Sequence, residues 1–470
     1  MKILLVAPCN PDEQRHNTMG IPQLTLSLIA ALTPPEHEVE VCEEVYGQQI
    51  NFDGGYDVVG ITIMTQTCIR GYQVANEFRK RNVKVVFGGI HATCIPEEAI
   101  RFGDAVVIGE AEGGLWAEVL TDIKNNKLRK FYKLDQLPDL QNYVAPRRDL
   151  VNCKTGKFTP APIETTRGCP YNCDFCTVSR FFGTKQRHKN IRDIIKEAES
   201  APGNALFILD DNVSGDKKFA RELFTELAPL KKIWVGQAAI NISADEELMK
   251  LAEKSGCKAL LVGFESMTDS GLNSYRKTLK TIEANVEAVK RLRDYGILTM
   301  ASLIFGLDTD KEEVFDLSYE FIMKSQSAFF QSCVVTPYPG TPLFEKLKSE
   351  GRILSDNWSH YDATKVLIEP KHMTSEELLE GVHKIQKSIY SRSSIYKRAL
   401  PNVMLGFTEA LFYMTLNRGY RKRNNQKKLL GVQSNPEGYP VDFDVTKYIQ
   451  PYADSTNNIE IVGEEAIKCC

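Results

Sequence analysis

Short apolar segments alternate with helical patterns along most of this chain, and this alternation restricts its fold more than any other feature. Over the first 135 residues, the predicted strands are 2–7, 38–41, 57–63, 84–87 and 105–108, with helices such as 22–32 and 67–81 between them. Alternation of this kind is typical of a parallel sheet covered by helices on both faces. The sequence therefore predicts a doubly wound, flavodoxin- or Rossmann-like α/β domain over residues 1–135.

A second alternating series begins at residue 161. Its predicted strands are 161–166, 206–210, 233–238, 259–262, 298–304 and 329–335, and its predicted helices are 191–200, 216–227, 245–255, 281–295 and 311–324. Six repeats suit a partial (β/α)6 barrel better than a closed eight-stranded TIM barrel. Prolines interrupt the preceding stretch. We predict a linker over 136–160, the barrel over 161–342, and a small, mostly helical third region with a polar tail over 343–470.

Composition excludes several classes of protein. The formal net charge of −3 gives no field for collecting polyanions, so we expect no nucleic-acid partner. The N-terminus lacks the basic and apolar pattern of a leader peptide, so we expect the chain to stay in the cytoplasm. Without such a leader, the 12 cysteines indicate thiols and metal ligands in a reducing compartment rather than a disulfide framework.

Three cysteines lie close together directly after the first predicted barrel strand. Residues 167–176 read RGCPYNCDFC, which brings Cys169, Cys173 and Cys176 into one short loop. Thiolates hold iron–sulfur clusters, and three of them leave one iron of a cubane open to an exogenous ligand. A structural zinc site is the alternative, but it normally closes with a fourth Cys or His at finger-like spacing. The pattern favours a 4Fe-4S cluster.

This motif resembles that of the radical S-adenosylmethionine (SAM) superfamily, and the segments FILDDN (207–212), GFES (263–266), FGLDTD (305–310) and TPYPGTP (336–342) resemble its cobalamin-domain branch. The resemblance implies that SAM chelates the open iron and is cleaved reductively to a 5′-deoxyadenosyl radical. It further implies a transferase that modifies an unactivated position of a small molecule or lipid, most often by methyl transfer through cobalamin. Its reductant would be a reductase, or a flavodoxin or ferredoxin.

Several residues are assigned to SAM by this resemblance. Phe175 would lie beside the adenine, and Glu265 and Gln237, at or near strand ends, would face the methionyl group or the ribose. A buried structural role for Gln237 is an equal alternative. Asp210 and Asn212 follow the second barrel strand and would bind polar groups of SAM, unless Asp211 or Asn212 caps the next helix.

The N-terminal domain resembles the corrinoid-binding domain fused to many such enzymes. The resemblance rests on FGGIHATCIPEE (87–98) and on IGEAE (108–112), and it assigns Gly88, Gly89, His91, Gly109 and Glu110 to the cofactor. Gly88 and Gly89 follow a strand and let a flat ligand approach the backbone at the edge where doubly wound sheets bind ligands. The DxHxxG motif that supplies an axial histidine is missing, since residues 8–12 read PCNPD. Either cobalamin binds without a protein ligand, or the domain has lost it.

The C-terminal region carries two further features. Residues 400–416 are largely apolar but short for a membrane span, which favours a packed helix with a solvated basic end over an interfacial anchor with peripheral membrane contact. Cys469 and Cys470 are candidate substrate thiols, because adjacent thiols bind soft species. Such a pair resembles a feature of the enzymes of arsinothricin biosynthesis. The alternatives to methyl transfer are therefore transfer of a 3-amino-3-carboxypropyl group to arsenite, a cobalamin-free cyclisation or rearrangement, or a non-enzymatic iron–sulfur or corrinoid sensor.

Overall fold

The computed structural model describes residues 1–10, 23–141, 144–151, 160–274, 279–426 and 443–452. Its N-terminal domain contains a parallel sheet of six strands in the order β2-β1-β3-β4-β5-β6. The strands are β1 (Lys2–Ala7), β2 (Glu38–Glu43), β3 (Val58–Thr62), β4 (Lys84–Gly88), β5 (Ala105–Ile108) and β6 (Phe131–Lys133). This order places β1 and β3 at the crossover point of a flavodoxin-like sheet, as predicted. The short edge strand β6 was not predicted.

Helices cover both faces of this sheet. They are α1 (Leu24–Leu32), α2 (Cys68–Arg79), α3 (Ile90–Cys94), α4 (Pro96–Ala99) and α5 (Leu115–Lys124). Successive side chains of a strand point to opposite faces, so Leu5 joins one core with Trp116 of α5, while Val6 joins another with Tyr72 of α2. Strands buried on both faces explain the continuous apolar segments in the sequence.

The second sheet forms the partial barrel, in which six strands run parallel in the order β14-β13-β12-β11-β10-β7. They are β7 (Ala161–Ile163), β10 (Ala205–Ile208), β11 (Ile233–Ala238), β12 (Cys257–Glu265), β13 (Leu298–Phe305) and β14 (Phe329–Val334). The predicted first strand ends early, at Ile163. The chain then forms a small antiparallel pair, β8 (Thr166–Arg167) with β9 (Arg187–His188).

Helices α6 (Val178–Phe181), α7 (Ile191–Ser200), α8 (Lys217–Leu227), α9 (Glu246–Lys254), α10 (Asp269–Ser274), α11 (Ile282–Asp294) and α12 (Glu313–Ser325) belong to the barrel. Their starts follow side-chain caps rather than the apolar pattern alone. Asp216 accepts hydrogen bonds from the backbone N–H groups of Lys218 and Phe219, so α8 begins at Lys217. Asp211 and Asn212 therefore do not cap this helix, which corrects that part of the sequence interpretation.

Residues after the barrel pack in two places. Helix α13 (Pro342–Ser349) and the segment that follows it join the α2 face of the N-terminal sheet, where Trp358, Tyr361 and Val445 are buried. Helices α14 (Ser375–Ile389), α15 (Arg392–Val403) and α16 (Phe407–Gln426) instead pack on the barrel. No helix among the described residues is both long and apolar enough to cross a bilayer.

A buried arginine fixes the last helices to the barrel. The guanidinium of Arg398 is fully buried and donates hydrogen bonds to the backbone carbonyls of Ser327 and Ile389, at 2.7 and 2.9 Å. The predicted packing of residues 400–416 is correct only in part. Phe412 is half-buried, but Phe407 and Leu411 point outward, with 85% and 49% of their surface exposed.

Candidate active site between the two domains

The three cysteines of the predicted cluster lie in one loop between β8 and α6. The side chains of Cys169, Cys173 and Cys176 are all partly exposed and none forms a disulfide. The loop begins at Gly168, whose φ is 89°, and a Cβ there would lie 2.6 Å from the carbonyl oxygen of Lys185. Only glycine is therefore compatible with this start. Three thiols in one loop fit the ligand set of a 4Fe-4S cluster with one open iron.

The predicted polar residues after β10 hold the loops around the cluster motif. The buried carboxylate of Asp210 accepts hydrogen bonds from the Thr165 backbone N–H at 2.7 Å and from the Thr166 hydroxyl at 2.8 Å. Oδ1 of Asn212 accepts from the backbone N–H groups of Ser214 and Ala239. Both side chains are buried, so their contacts support the loops at the carboxyl ends of the strands.

A cavity of about 580 Å³ lies between the two domains. Its walls come from the carboxyl ends of β1, β3 and β4, from the loop after β5, and from the barrel residues Glu164, Arg167, Phe207 and Leu209. Phe181 and Phe182, just beyond the cysteine loop, also line it. The carboxyl ends of parallel strands are where doubly wound sheets and barrels bind ligands, and here the two edges face a common space.

Two of the predicted corrinoid-site glycines leave room in this cavity. A Cβ added to Gly88 or to Gly109 would meet nothing within 4 Å, and both residues line the cavity. Gly89 serves the backbone instead: its φ is 95°, and a Cβ would lie 2.7 Å from the carbonyl oxygen of Ile63. An open, mainly apolar wall with no side chain at Gly88 fits the close approach of a flat macrocycle.

His91 does not face the cavity. Its side chain is fully buried, Nε2 lies 3.0 Å from Oε1 of Glu98, and Nδ1 lies 3.4 Å from the hydroxyl oxygen of Thr65. Glu98 also accepts hydrogen bonds from Tyr72 and from Trp358. Burial alone would raise the pKa of Glu98, but these hydrogen bonds lower it overall. His91 thus contributes to a buried network between the N-terminal domain and the post-barrel segment rather than offering a nitrogen to a corrinoid.

Glu110, which the sequence assigned to cofactor binding, forms ion pairs across the domain boundary. Its carboxylate lies 2.5 Å from the Arg167 guanidinium and also pairs with Arg187. Arg167 further pairs with Glu112 at 2.6 Å and with Glu164 at 2.9 Å. These charges are largely buried, and Arg167 stands two residues before the first cysteine of the loop. The network therefore connects the loop after β5 to the start of the cluster loop.

Sequence reasoning missed this network. Burial would raise the pKa of Glu164, but Arg167 and Lys189 lower it to about 2, so this carboxylate stays ionised. Asp211 nearby shows the opposite effect: burial, together with the charges of Asp210 and Glu164, raises its pKa to about 7. One signal was available, since charged residues flank the cysteine motif, but Glu110 and Glu112, which also pair with Arg167, lie more than 50 residues away in the sequence.

Glu265 has an unusual backbone conformation at the end of β12. Its φ is 63°, in the left-handed region, and the pairing of β12 with β13 shifts register between Gly263 and Glu265. Its side chain is 4% exposed. Strained backbone of this kind persists where the surroundings fix a particular side-chain direction. The conformation fixes the direction of the Glu265 side chain, and its contact with the methionyl group or ribose of SAM stays a prediction.

Half-buried side chains alternate with fully buried ones along the barrel strands. In β11, Trp234 packs outward against α8, whereas Gln237 lies on the opposite, partly open side. Other half-buried residues of this kind are Phe207, Leu261, Met300, Ser302, Ile304, Gln331 and Cys333. Alternation in a parallel barrel places this set toward its interior. Gln237 therefore faces the interior.

Phe175, which was predicted to lie beside the adenine of SAM, is half-buried. It packs against the core on the α2 face of the N-terminal domain.

Cys469 and Cys470 lie outside the described residues.

Comparisons with known proteins identify both halves of this site. Residues 163–322 match the Radical SAM superfamily, residues 40–117 match the B12 binding domain, and residues 341–414 match a domain of unknown function. Bacteriochlorophyllide d C-12(1)-methyltransferase of Chlorobaculum tepidum is 31% identical over 409 residues, covering 84% of this chain and 89% of the relative. The chain belongs to the cobalamin-domain branch of the radical SAM enzymes.

Other members of this branch are similar over most of the chain. Hopanoid C-2 methylase of Rhodopseudomonas palustris is 26% identical, covering 72% of this chain and 66% of the relative. The solved structure of the methyltransferase TsrM from Kitasatospora setae, with cobalamin and a [4Fe-4S] cluster bound, superimposes with a TM-score of 0.66 at 16% identity, over 90% of this chain and all of TsrM. OxsB, with aqua-cobalamin and SAM bound, gives 0.64 at 15% identity, over 90% and 71%.

Family membership confirms the predicted cofactors, which are a 4Fe-4S cluster, SAM and cobalamin. It also confirms an enzyme of the methyltransferase-like kind rather than a binding protein. The missing DxHxxG motif is therefore compatible with membership in the cobalamin-binding branch. The site residues assigned one by one to SAM and to the corrinoid stay predictions.

Proposed function

We propose that this enzyme methylates an unactivated carbon of an apolar small molecule or lipid, with SAM as the methyl source and cobalamin as the carrier. The observation that carries the proposal is the single cavity bounded by both domains. Gly88 and Gly109 of the cobalamin-binding domain and Arg167 of the barrel line the same space. The methyltransferase relatives support methyl transfer over the arsenite alternative.

When bound, the cluster supplies the electron that cleaves SAM, and the corrinoid supplies a transferable methyl group. The protein contributes position and environment. Cys169, Cys173 and Cys176 would ligate the cluster. The ion pairs of Arg167 would hold this loop at a fixed distance from Gly109 and from the end of β4, which line the cavity. Phe181, Phe182 and Phe207 would exclude water from that space.

The interior of the barrel is the proposed substrate site. Its half-buried set is mostly apolar, with Gln237 and Gln331 as amide groups for orienting a polar end of the substrate. Relatives in this branch are named for a bacteriochlorophyllide, for a hopanoid and, in the case of a cyclase, for magnesium-protoporphyrin IX monomethyl ester. We infer a large, mainly apolar substrate here, because the side chains that face the barrel interior are mostly apolar and would bury such a molecule at little cost.

We further infer that an acidic flavodoxin or ferredoxin reduces the cluster. Exposed lysines at 185, 217 and 218 outnumber the acids Asp139 and Asp216 in a surface groove that also contains Pro170, which lies between the first two cysteines of the loop. Positive charge beside the cluster loop would guide a negatively charged carrier to the shortest path for the electron.

The test is anaerobic incubation of the reconstituted enzyme with reductant, hydroxocobalamin and SAM carrying a deuterated methyl group. We expect 5′-deoxyadenosine from reductive cleavage, and S-adenosylhomocysteine with labelled methylcobalamin from methyl transfer. Methylthioadenosine as the main product would overturn the proposal, because it reports transfer of the aminocarboxypropyl group.

The matched variants replace cysteines in two places. The triple change of Cys169, Cys173 and Cys176 to alanine should abolish both the brown chromophore and 5′-deoxyadenosine formation. Cys257→Ala removes a buried thiol at the start of β12, outside the proposed site, and should retain both. Retention of about four irons per chain in the triple variant would show that the loop does not hold the cluster.

A further inference from the structure

The two last described helices form an antiparallel hairpin. Helix α15 ends at Val403 and α16 begins at Phe407. The Tyr413 hydroxyl donates a 2.7 Å hydrogen bond to the backbone carbonyl of Ile395, and the Tyr420 ring stacks on that of Tyr390 with centroids 5.1 Å apart. These two contacts join residues on either side of the connection, so the two helices lie side by side with residues 404–406 as the tip.

The tip of this hairpin is apolar and exposed. Exposed fractions are 68% for Tyr396, 66% for Leu400, 75% for Met404 and 85% for Phe407, and they fall to 49% for Leu411 and 47% for Met414 further along α16. The most exposed large apolar side chains of the described residues are therefore concentrated at one end of one element. Scattered exposed apolar residues are ordinary, but a contiguous group of this kind marks an interaction surface.

Cations lie farther from the tip on the same exposed side. Leu411, Met414 and Arg418 follow Phe407 at helical spacing along one face of α16, and exposed Lys422 comes one turn later. On α15, Arg392 and Lys397 are exposed as well. Between 392 and 426 the sequence contains one acidic residue, Glu409. That carboxylate is buried and pairs with Lys258 of β12 at 2.7 Å, so it does not offset the exposed cations.

We propose that the α15–α16 hairpin binds the surface of a membrane that contains anionic lipids. An apolar tip with cations farther along the same helix matches the depth profile of a bilayer, in which acyl chains lie beneath negatively charged headgroups. The same distribution disfavours a protein partner with an apolar pocket, because the cations farther along the hairpin would need matched acids at fixed positions outside that pocket. The proposal does not depend on the methyl-transfer reaction.

Docking of this kind leaves the catalytic side of the enzyme open. The hairpin packs where the barrel strands begin: Phe412 and Tyr413 contact Phe329, the first residue of β14, and Asn417 donates to the carbonyl of Ala328. The cysteine loop and the cavity lie at the carboxyl ends of the strands, at the opposite end of the barrel. The hairpin is thus an anchor, and substrate and reductant reach the site from the other end.

The experiment is co-sedimentation of the full-length protein with vesicles of phosphatidylcholine and phosphatidylglycerol at 3:1, compared with phosphatidylcholine alone. We expect binding to the anionic vesicles that weakens in 0.5 M salt, since exposed charges are screened. The double variant Leu400→Glu/Phe407→Glu should lose at least about ten-fold in affinity. Arg418→Gln/Lys422→Gln should lose about 25-fold, from about 1 kcal/mol for each cation at an anionic surface.

Matched changes on the N-terminal domain are the controls. Phe131→Glu and Lys127→Gln/Lys130→Gln replace exposed residues of the same types and should bind vesicles as the natural chain does. All variants should still form 5′-deoxyadenosine, which shows that the hairpin changes leave the fold intact. Failure of the natural chain to sediment with anionic vesicles would overturn the proposal. So would a dimer in light scattering that Phe407→Glu dissociates, because the occupant would then be a second copy.

Discussion

Arg167 and Glu110 join the cluster loop to the cobalamin-binding domain through a buried ion pair of 2.5 Å. Glu110 follows β5 of the first sheet, and Arg167 ends β8, two residues before Cys169. The residue that sequence reasoning assigned to the cofactor thus pairs with the residue next to the cluster motif. Both residues are buried, and each forms further ion pairs with other residues. Such a pair restricts motion between the two domains more than an exposed pair would.

Replacement of Arg167 by leucine should lower stability by about 3 to 5 kcal/mol, because Glu110, Glu112 and Glu164 would remain buried without their shared cation. Urea unfolding followed by tryptophan fluorescence measures the change in midpoint. Arg147→Leu removes an exposed arginine that pairs with Asp149, and should change stability by less than about 1 kcal/mol. Equal midpoints for the two variants would show that the buried network adds nothing.

Gly88→Leu should block cobalamin without disturbing the fold. A side chain at this position has open space before it, and that space belongs to the cavity. We expect affinity for hydroxocobalamin to fall at least about ten-fold on steric grounds, with unchanged circular dichroism and iron content. Gly419→Leu introduces the same side chain at another open position and should bind as the natural chain does. Undiminished binding by the Gly88 variant would mean that the corrinoid does not approach the end of β4.

Charge reversal beside the cluster loop should slow reduction by a protein donor only. The double variant Lys185→Glu/Lys218→Glu replaces two exposed cations of the groove next to Pro170. Reduction by flavodoxin should slow by about ten-fold or more at low salt, while reduction by dithionite should be unchanged. Lys127→Glu/Lys130→Glu, on the N-terminal domain, is the control. If flavodoxin reduces the groove variant at the natural rate, the donor docks elsewhere.

Glu43 should make the enzyme less stable at alkaline pH. It is fully buried, and no side chain among the residues that the structure describes donates a hydrogen bond to its carboxylate, which has only the backbone of Gln23 nearby. Burial raises its pKa to about 7, against a weaker lowering by the backbone of Gln23. A carboxyl whose folded-state pKa is raised costs stability as pH rises from its unfolded value of about 4.5 toward 7, and the full cost remains above that.

Glu43→Gln should therefore raise the thermal midpoint relative to the natural chain at pH 8 and much less at pH 4.5. The expected difference between the two conditions is on the order of 3 kcal/mol at most, the equivalent of the pKa shift. Glu97→Gln changes an exposed carboxylate and should show no such pH dependence. A Glu43 variant that is equally destabilised at both pH values would show that burial does not raise the pKa of Glu43.

Local features of the sequence were enough to predict most of the fold. Ten of the predicted strands lie close to their observed bounds, because strands buried in parallel sheets are short, apolar and separated by helices. The first barrel strand ends before its predicted end, because Glu164 turns its side chain to Arg167 and Lys189. Strand β6 has only three residues and two of them are exposed, so it carries too little pattern to detect.

The candidate site was predictable only where it is local. The cysteine loop follows from spacing within ten residues, whereas Arg167 and Glu110 are 57 residues apart in different domains. His91 lies next to the two corrinoid-site glycines in sequence, but α3 turns its ring into the core against Trp358. The helical spacing of apolar residues in 400–416 predicted a helix with one apolar face. Whether that face is covered depends on the barrel, which contacts Phe412 and leaves Phe407 exposed.

The packing of Trp358 and Val445 on the α2 face of the first sheet has a consequence for biosynthesis. These residues complete the core that Val6 and Tyr72 begin, so the N-terminal domain cannot finish folding when its own last strand leaves the ribosome. About 300 further residues must follow, which takes roughly 15 to 60 s at ordinary rates of translation. During that interval an apolar surface of the nascent chain stays uncovered. Residues made more than 200 positions later therefore complete the core of the first domain.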